Sequence, residues 1–369
     1  MKTLRLLVLL PCLLAACATP YRPPVVVHDS TPFPGLAALT AGGGARPVDL
    51  ILVHGMCTHD AAWVDRNVER IAGAVTAQAP GAALQSARRA AADNAAVELL
   101  DSTRRVGAGT VRFHGILWSP LTAPLKRQLA YDNTGGPTDC AGDTVCRPVR
   151  ACLNGVVKDK LLNDCLADVL IYEGNSRDTI RDTMAGIVAQ VIDADPDSDA
   201  PLVVVAESLG SKMLFDALAS MLESNQPRLQ ALGRRAARRL ALIFMAGNQL
   251  PILALAEQDV VARAMPEQDT LQRFLDLRRR QAGLPGERSG DLRRLSVVAV
   301  TDPNDLLSYR LLPARYAASD VAVADVLVSN DTTWFGLIEH PVTAHLGYLA
   351  NPDVGALIAC GWPRAAVCR

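Results

Sequence analysis

The stretch Leu202–Leu218, LVVVAESLGSKMLFDAL, constrains the fold of this chain more than any other. It opens with small and β-branched apolar residues, Leu202 to Val205, the composition of a strand buried on both faces. The pattern breaks at Glu207-Ser208-Leu209-Gly210 and resumes at helical spacing through Met213, Leu214, Ala217 and Leu218. A strand that turns straight into a helix presents its turn residue, Ser208, clear of the chain at the top of a sheet. A base can reach such a serine. The next backbone N–H, of Leu209, opens into the same space with the helix N-terminus behind it and can hold an oxyanion. So tight a turn admits only small residues two positions to either side, and Ala206 and Gly210 stand there.

These residues resemble the nucleophile elbow, G-x-S-x-G, of the α/β-hydrolase superfamily, with Ala206 in place of the first glycine. Over so short a span, an ordinary strand–turn–helix with an incidental serine reads the same. A P-loop does not fit, because Gly210-Ser211-Lys212 inverts the required Gly-Lys-Ser order. A second apolar run, Val48–Val53, ends in His54-Gly55-Met56-Cys57-Thr58. A His-Gly pair closing an early strand resembles the oxyanion loop of the same superfamily, in which the N–H after the glycine, here of Met56, faces the nucleophile. In that reading His54 holds the loop and does not titrate in catalysis. Two such matches in the expected order weigh against coincidence.

A serine hydroxyl needs a base, and a histidine base needs a carboxylate to fix its tautomer. The resemblance implies the chain order serine, acid, histidine. The expected strand Leu295–Val300 is followed by Thr301-Asp302-Pro303-Asn304-Asp305-Leu306-Leu307, which offers Asp305 as the acid, with Asp302 as the alternative in an Asx turn. His345 is the preferred base and His340 the fallback; both lie between the last expected strand, Val321–Val328, and the last expected helix, Asp353–Cys360. His59 and His114 fall outside this order and read as surface or packing residues. The resemblance thus implies Ser208, His345 and Asp305 as catalytic residues, the Met56 and Leu209 amides as oxyanion donors, and no cofactor. Its implied reaction is cleavage of a small-molecule or lipid ester, with a non-catalytic envelope scaffold on the same fold as the alternative.

Further strands are expected at Thr110–Trp118 and Leu240–Ala246. Helices are expected at Ala61–Ala77, from Pro120, at Cys152–Leu170, Arg177–Ile192, Leu253–Ala264 and Thr270–Gln281. Strands alternating with helices imply an α/β fold with a mainly parallel, doubly wound sheet. Asp132–Arg150 is rich in Gly, Thr and Pro without hydrophobic period, so residues 132–170 and 250–290 are expected to form lid or cap excursions from a domain spanning 47–369. The arginines of Arg234-Arg235-Ala236-Ala237-Arg238-Arg239 are expected on a solvated helix end, where cations suit the dipole.

Met1–Ala16 carries Lys2 and Arg5 before a short leucine-rich core, the shape of an export signal. Leu14-Ala15-Ala16-Cys17 is similar to a bacterial lipobox, which implies Cys17 as a lipid anchor in a membrane; a plain secretory signal is the alternative. Ala18 is not the aspartate that retains lipoproteins at the inner membrane, so the outer membrane is the expected address. Residues 17–46, rich in Pro, Gly and Thr, are expected to form a tether with one edge strand at Val25–Val27. With 37 basic against 38 acidic residues there is no cationic surplus for nucleic acid. Nine cysteines suit an exported chain. Cys57 is expected to be unpaired and Cys360 to bridge Cys368. Cys152 and Cys165, on one helix, are expected not to pair with each other but with Cys140 and Cys146, in either combination.

Overall fold

The structure, a computed structural model, describes residues 17–27, 31–42, 47–75, 85–90, 97–134, 136, 149–194, 199–260, 268–281 and 294–368. The strands of its main sheet are β1 (Val25–Val26), β2 (Val48–Val53), β3 (Gln85–Ala90), β4 (Glu98–Val106), β5 (Gly109–Leu117), β6 (Leu202–Glu207), β7 (Leu240–Ala246), β8 (Leu295–Thr301) and β9 (Val321–Leu327). They form one nine-stranded sheet in the order β1-β9-β8-β7-β6-β2-β5-β4-β3. The six strands from β9 to β5 run parallel; β1 pairs antiparallel on one edge, and on the other β4 runs antiparallel to both of its neighbours, β5 and β3.

The helices are α1 (Leu36–Gly42), α2 (Ala61–Gly73), α3 (Ser119–Lys126), α5 (Arg177–Asp193), α6 (Leu209–Glu223), α7 (Pro227–Arg239), α8 (Thr270–Gln281), α9 (Pro341–Leu346) and α10 (Pro352–Cys360). Between α3 and α5 a continuous helical run, α4, comprises Cys152–Val156, a π-helical stretch Val157–Leu166, and Ala167–Glu173. Helices cover both faces of the sheet, which is why its central strands are apolar without alternation. In β6, Val204 points into the core beneath α5, α6 and α8, whereas Val203 and Val205 point into the core with α1, α2 and α10.

The sheet also decides where a site can lie. From β2 the chain passes to the outermost strand β3, returns inward through β4 to β5 beside β2, and then crosses to lay β6 against the opposite side of β2. Adjacent parallel strands whose connections depart in opposite directions leave a crevice at their C-terminal ends. The register pairs Val53 with Ala206, so His54-Gly55-Met56 and Glu207-Ser208-Leu209 emerge together there.

Several expectations are corrected. Residues 17–46 do not form a free tether in their described part: Leu36 and Leu39 of α1 are fully buried, and β1 completes the sheet as the expected edge strand. Four apolar residues of α8, Leu271, Phe274, Leu275 and Leu277, are buried in the core beside α6, so this part of 250–290 is a layer helix and not a cap. Likewise α4 enters the core through Cys165 and Tyr172, so the 132–170 lid does not include its inner face. In its described part the expected helix Leu253–Ala264 is the short turns Leu250–Leu253 and Ala254–Glu257, and residues 261–267 lie outside the described residues. Arg239 is buried, pairing with Asp49 and donating to the Ala200 carbonyl, because its side chain folds under the sheet.

Candidate functional site

Ser208 sits between β6 and α6 with φ 52° and ψ −126°, a left-handed conformation that costs a non-glycine residue about 1–3 kcal/mol. The surrounding structure holds it there. The Ser208 N–H donates to the Ala246 carbonyl at the end of β7 (2.8 Å), and Gly55 and Gly210 let two loops close around the turn. A Cβ at Gly55 would lie 2.7 Å from the Ser208 Cβ, and one at Gly210 would lie 2.5 Å from the His54 carbonyl oxygen. Gly210 is therefore needed for this approach as much as for the turn.

Three loops converge on one hydrogen-bonded chain. Ser208 Oγ lies 3.2 Å from His345 Nε2. His345 Nδ1 lies 2.9 Å from both oxygens of Asp305. The geometry separates the two candidate acids: Asp305 contacts His345, whereas Asp302 closes an Asx turn through the Asn304 N–H (2.9 Å) and accepts the Asn330 N–H (2.6 Å). It also separates the histidines. His340 is exposed at the N-cap of α9, where it accepts the Thr343 N–H, and His345 faces inward in the last turn of the same helix.

Asp305 is held in its ionised form. Burial by itself raises a carboxyl pKa, but hydrogen bonds from His345, the Leu307 N–H and the Tyr348 hydroxyl outweigh it and bring Asp305 below its usual value. Tyr348 donates to Asp305 Oδ2 at 2.9 Å and accepts the Asp302 N–H at 2.9 Å, so one buried phenol ties both sides of the acid loop. The opposite case is Glu207, the residue before the serine. Burial, assisted by the Asp305 charge, pushes its carboxyl up to about 8, so it is largely protonated at neutral pH.

His54 ties the Gly55 loop to the end of β5. Burial holds its pKa well below the usual value, so the ring is neutral. Its Nε2 accepts the Trp118 N–H (3.0 Å), which leaves Nδ1–H to donate to the Gly55 carbonyl (2.8 Å). A trans peptide points its carbonyl and N–H in opposite directions. With the Gly55 carbonyl drawn to His54, the Met56 N–H is turned away from that ring. The Leu209 N–H opens α6 on the other side of the junction.

The clamp on this loop was not foreseen. Cys57 is not unpaired: it is bonded to Cys165 of α4, with Cα atoms 3.9 Å apart. Neither expected pairing of Cys165 therefore holds, Cys152 is a free thiol, and Cys140 and Cys146 lie outside the described residues. Cys360 does bridge Cys368. The same face of α4 supplies Asp168, which accepts the Cys57 N–H (2.8 Å), and Asp164, which accepts from the Thr58 hydroxyl (2.5 Å). Lys126 of α3 bridges both carboxylates at 2.9 and 3.0 Å. The spacing of Asp164, Cys165 and Asp168 on a helix was visible in the sequence, but nothing there pointed to residues 57 and 58 as their partners.

Ser208 and His345 are 2% and 1% exposed. A wide groove of about 1530 Å³ opens elsewhere, between α5, α6, α7 and α8; Asp216 and Glu257 are among its walls, but none of Ser208, His345 or Asp305 is. Hydrogen-bond geometry, not cavity size, marks the candidate site. Among the described residues no group of three His, Cys, Asp or Glu is placed to hold a metal ion. No family model, curated protein or solved structure matches the chain.

Proposed function

We propose that this chain is a serine hydrolase of α/β-hydrolase type that cleaves carboxylic esters through an acyl-enzyme. The observation that carries the reading is the continuous Ser208–His345–Asp305 chain at the C-terminal edge of a parallel sheet, with the serine on a strained strand–helix turn. Ser208 Oγ attacks the ester carbonyl as His345 Nε2 takes its proton. Asp305 accepts the Nδ1–H, fixes the tautomer and stabilises the imidazolium. The Met56 and Leu209 amides hold the oxyanion. His345 then returns the proton to the departing alkoxide, and a water activated by the same ring releases the acid and restores Ser208. One departure from the superfamily pattern is the antiparallel pair β3–β4, which here enters the chain after β2.

The lipobox-like Leu14-Ala15-Ala16-Cys17 supports a cell-envelope address for this activity, with Cys17 acylated and the outer membrane as its site. A non-catalytic scaffold on the same fold is the second reading. A fluorophosphonate probe discriminates the two: the wild type is expected to be labelled at Ser208, and Ser208→Ala to keep its thermal midpoint while losing label and esterase activity. A wild-type chain that resists the probe refutes the hydrolase reading. An acyl-chain-length series of chromogenic esters then sorts the substrate class.

A further inference from the structure

The loop that leads from β9 to the His345 helix carries Thr332-Thr333-Trp334-Phe335-Gly336-Leu337-Ile338, seven residues without a charge. Four of its large apolar side chains stand in solvent: Trp334 is 57% exposed, Phe335 56%, Leu337 86% and Ile338 60%. The loop is nevertheless ordered as a small hairpin. The Trp334 N–H donates to the Ile338 carbonyl (2.8 Å) and the Leu337 N–H to the Trp334 carbonyl (2.9 Å), with Gly336 at φ +65° in the turn and open space around it. A monomeric protein leaves a contiguous apolar projection of this kind in water only where something covers it.

The N-terminus of the described chain indicates what that is. Cys17 and Ala18 form a strand with this hairpin, Cys17 opposite Trp334 and Ala18 opposite Thr333, and the Thr333 hydroxyl donates to the Ala18 carbonyl (2.9 Å). Cys17 is exposed and is the lipobox-like cysteine. An acyl chain on its sulfur would thus leave the protein from the edge where Trp334, Phe335, Leu337 and Ile338 project. We infer that the Trp334–Ile338 hairpin is a membrane wedge, which enters the interfacial layer of a phospholipid bilayer beside the Cys17 anchor. Its composition suits that depth: indole and phenyl rings favour the headgroup boundary, and leucine and isoleucine the acyl layer beneath it.

The wedge also orients the candidate site. A lipid anchor alone fixes the height of a protein above a membrane but leaves it free to tumble. A second contact removes that freedom. Leu306, 74% exposed, follows Asp305 directly, and the Asn304 amide donates to Glu339 (2.8 Å), tying the acid loop to the end of the hairpin. The loops bearing both Asp305 and His345 are thereby held against the bilayer, which makes membrane-dissolved esters the substrate class. This last step rests on the hydrolase proposal. The wedge itself does not.

The test uses the mature chain with Cys17→Ser, so that no acyl chain contributes, mixed with phosphatidylethanolamine–phosphatidylglycerol vesicles whose acyl chains are brominated. Of the four tryptophans, Trp63 and Trp118 are buried, so quenching reports chiefly on Trp334 and Trp362. Quenching is expected, and Trp334→Phe should remove most of it while vesicle co-sedimentation persists. The exposed triple substitution Trp334→Ser, Phe335→Ser, Leu337→Ser should weaken co-sedimentation by at least roughly 10- to 100-fold, the equivalent of one large apolar side chain withdrawn from water. In the same variant, hydrolysis of a soluble short-chain ester should stay within twofold as vesicle-borne ester hydrolysis falls tenfold or more. Unaltered co-sedimentation of the triple variant overturns the wedge, as does a dimer that it dissociates without any vesicle binding in the parent. Hairpin-dependent binding in a chain that hydrolyses neither ester supports the wedge and refutes the hydrolase reading. Hairpin-dependent binding in a Cys17→Ser chain, with no lipid on wild-type Cys17, supports the wedge and refutes the lipobox reading.

Discussion

Replacing Cys57 and Cys165 together by alanine tests both the stability and the chemistry assigned to the clamp on the Gly55–Thr58 loop. Alanine avoids burying an unpartnered hydroxyl where both sulfurs are almost wholly buried. The bridge closes 108 residues and the second bridge, Cys360–Cys368, closes only 8. In the chain-entropy treatment these loops are worth about 4.8 and about 2.5 kcal/mol at 25 °C. At about 2 °C per kcal/mol for a domain of this size, the long bridge should hold up the thermal midpoint by roughly 10 °C and the short one by roughly 5 °C. Scanning calorimetry of the two double variants, prepared in parallel, measures the difference directly. The loop would keep its bonds to Asp164 and Asp168, so kcat on a chromogenic ester should fall by about tenfold, short of the ~10²–10³ that follows removal of an oxyanion donor. A midpoint drop no larger than that of the Cys360–Cys368 variant refutes the entropy argument. An unchanged kcat refutes the role of the bridge in holding Met56.

Asp305→Asn should lower kcat by ~10⁴ as it does when the tautomer is lost in such triads, while Asp302→Asn acts mainly on stability; steady-state kinetics giving the reverse ranking would move the acid to Asp302. Gly55→Ala places a methyl 2.7 Å from the Ser208 Cβ, so the loop must shift, and kcat should drop by ~10²-fold with stability reduced by ~1–3 kcal/mol. Wild-type turnover by that variant, followed with the same ester, would show the approach to be dispensable. Glu207 is raised in the folded state to about 8, so its contribution to stability is complete below the unfolded value near 4.5 and disappears as pH rises through about 8. Glu207→Gln should flatten that decline, and urea melts of both proteins at pH 5, 7 and 9 that fall in parallel would remove Glu207 as its cause.

The features legible in the residues are those set by short-range sterics and periodicity. Val48–Val53, Leu202–Glu207 and Leu240–Ala246 are apolar on both faces, so their status as central parallel strands could be read directly. The turn at Ser208 was equally local: small residues at 206 and 210, between a strand period and a helix period, leave few conformations other than the observed φ of 52°. That Ser208, Asp305 and His345 each follow a strand end was legible too, because strand ends can be placed from the apolar runs that precede them. Everything that joins distant segments was decided only by tertiary structure. Asp302 and Asp305 are near-equivalent as a string of residues, and only the placement of His345, 40 positions on, distinguishes them. Cys57 meets Cys165 because α4 lies over the end of β2, a consequence of how the helices settle on the sheet and not of any spacing between the two cysteines. Residues 17–46 read as a tether since Pro, Gly and Thr weaken any local preference, yet Leu36 and Leu39 find a finished core to enter. The physical reason is the same in each case. A backbone turn is selected by neighbours within a few residues, whereas a contact between loops exists only after the sheet has fixed which strands are adjacent and in what register.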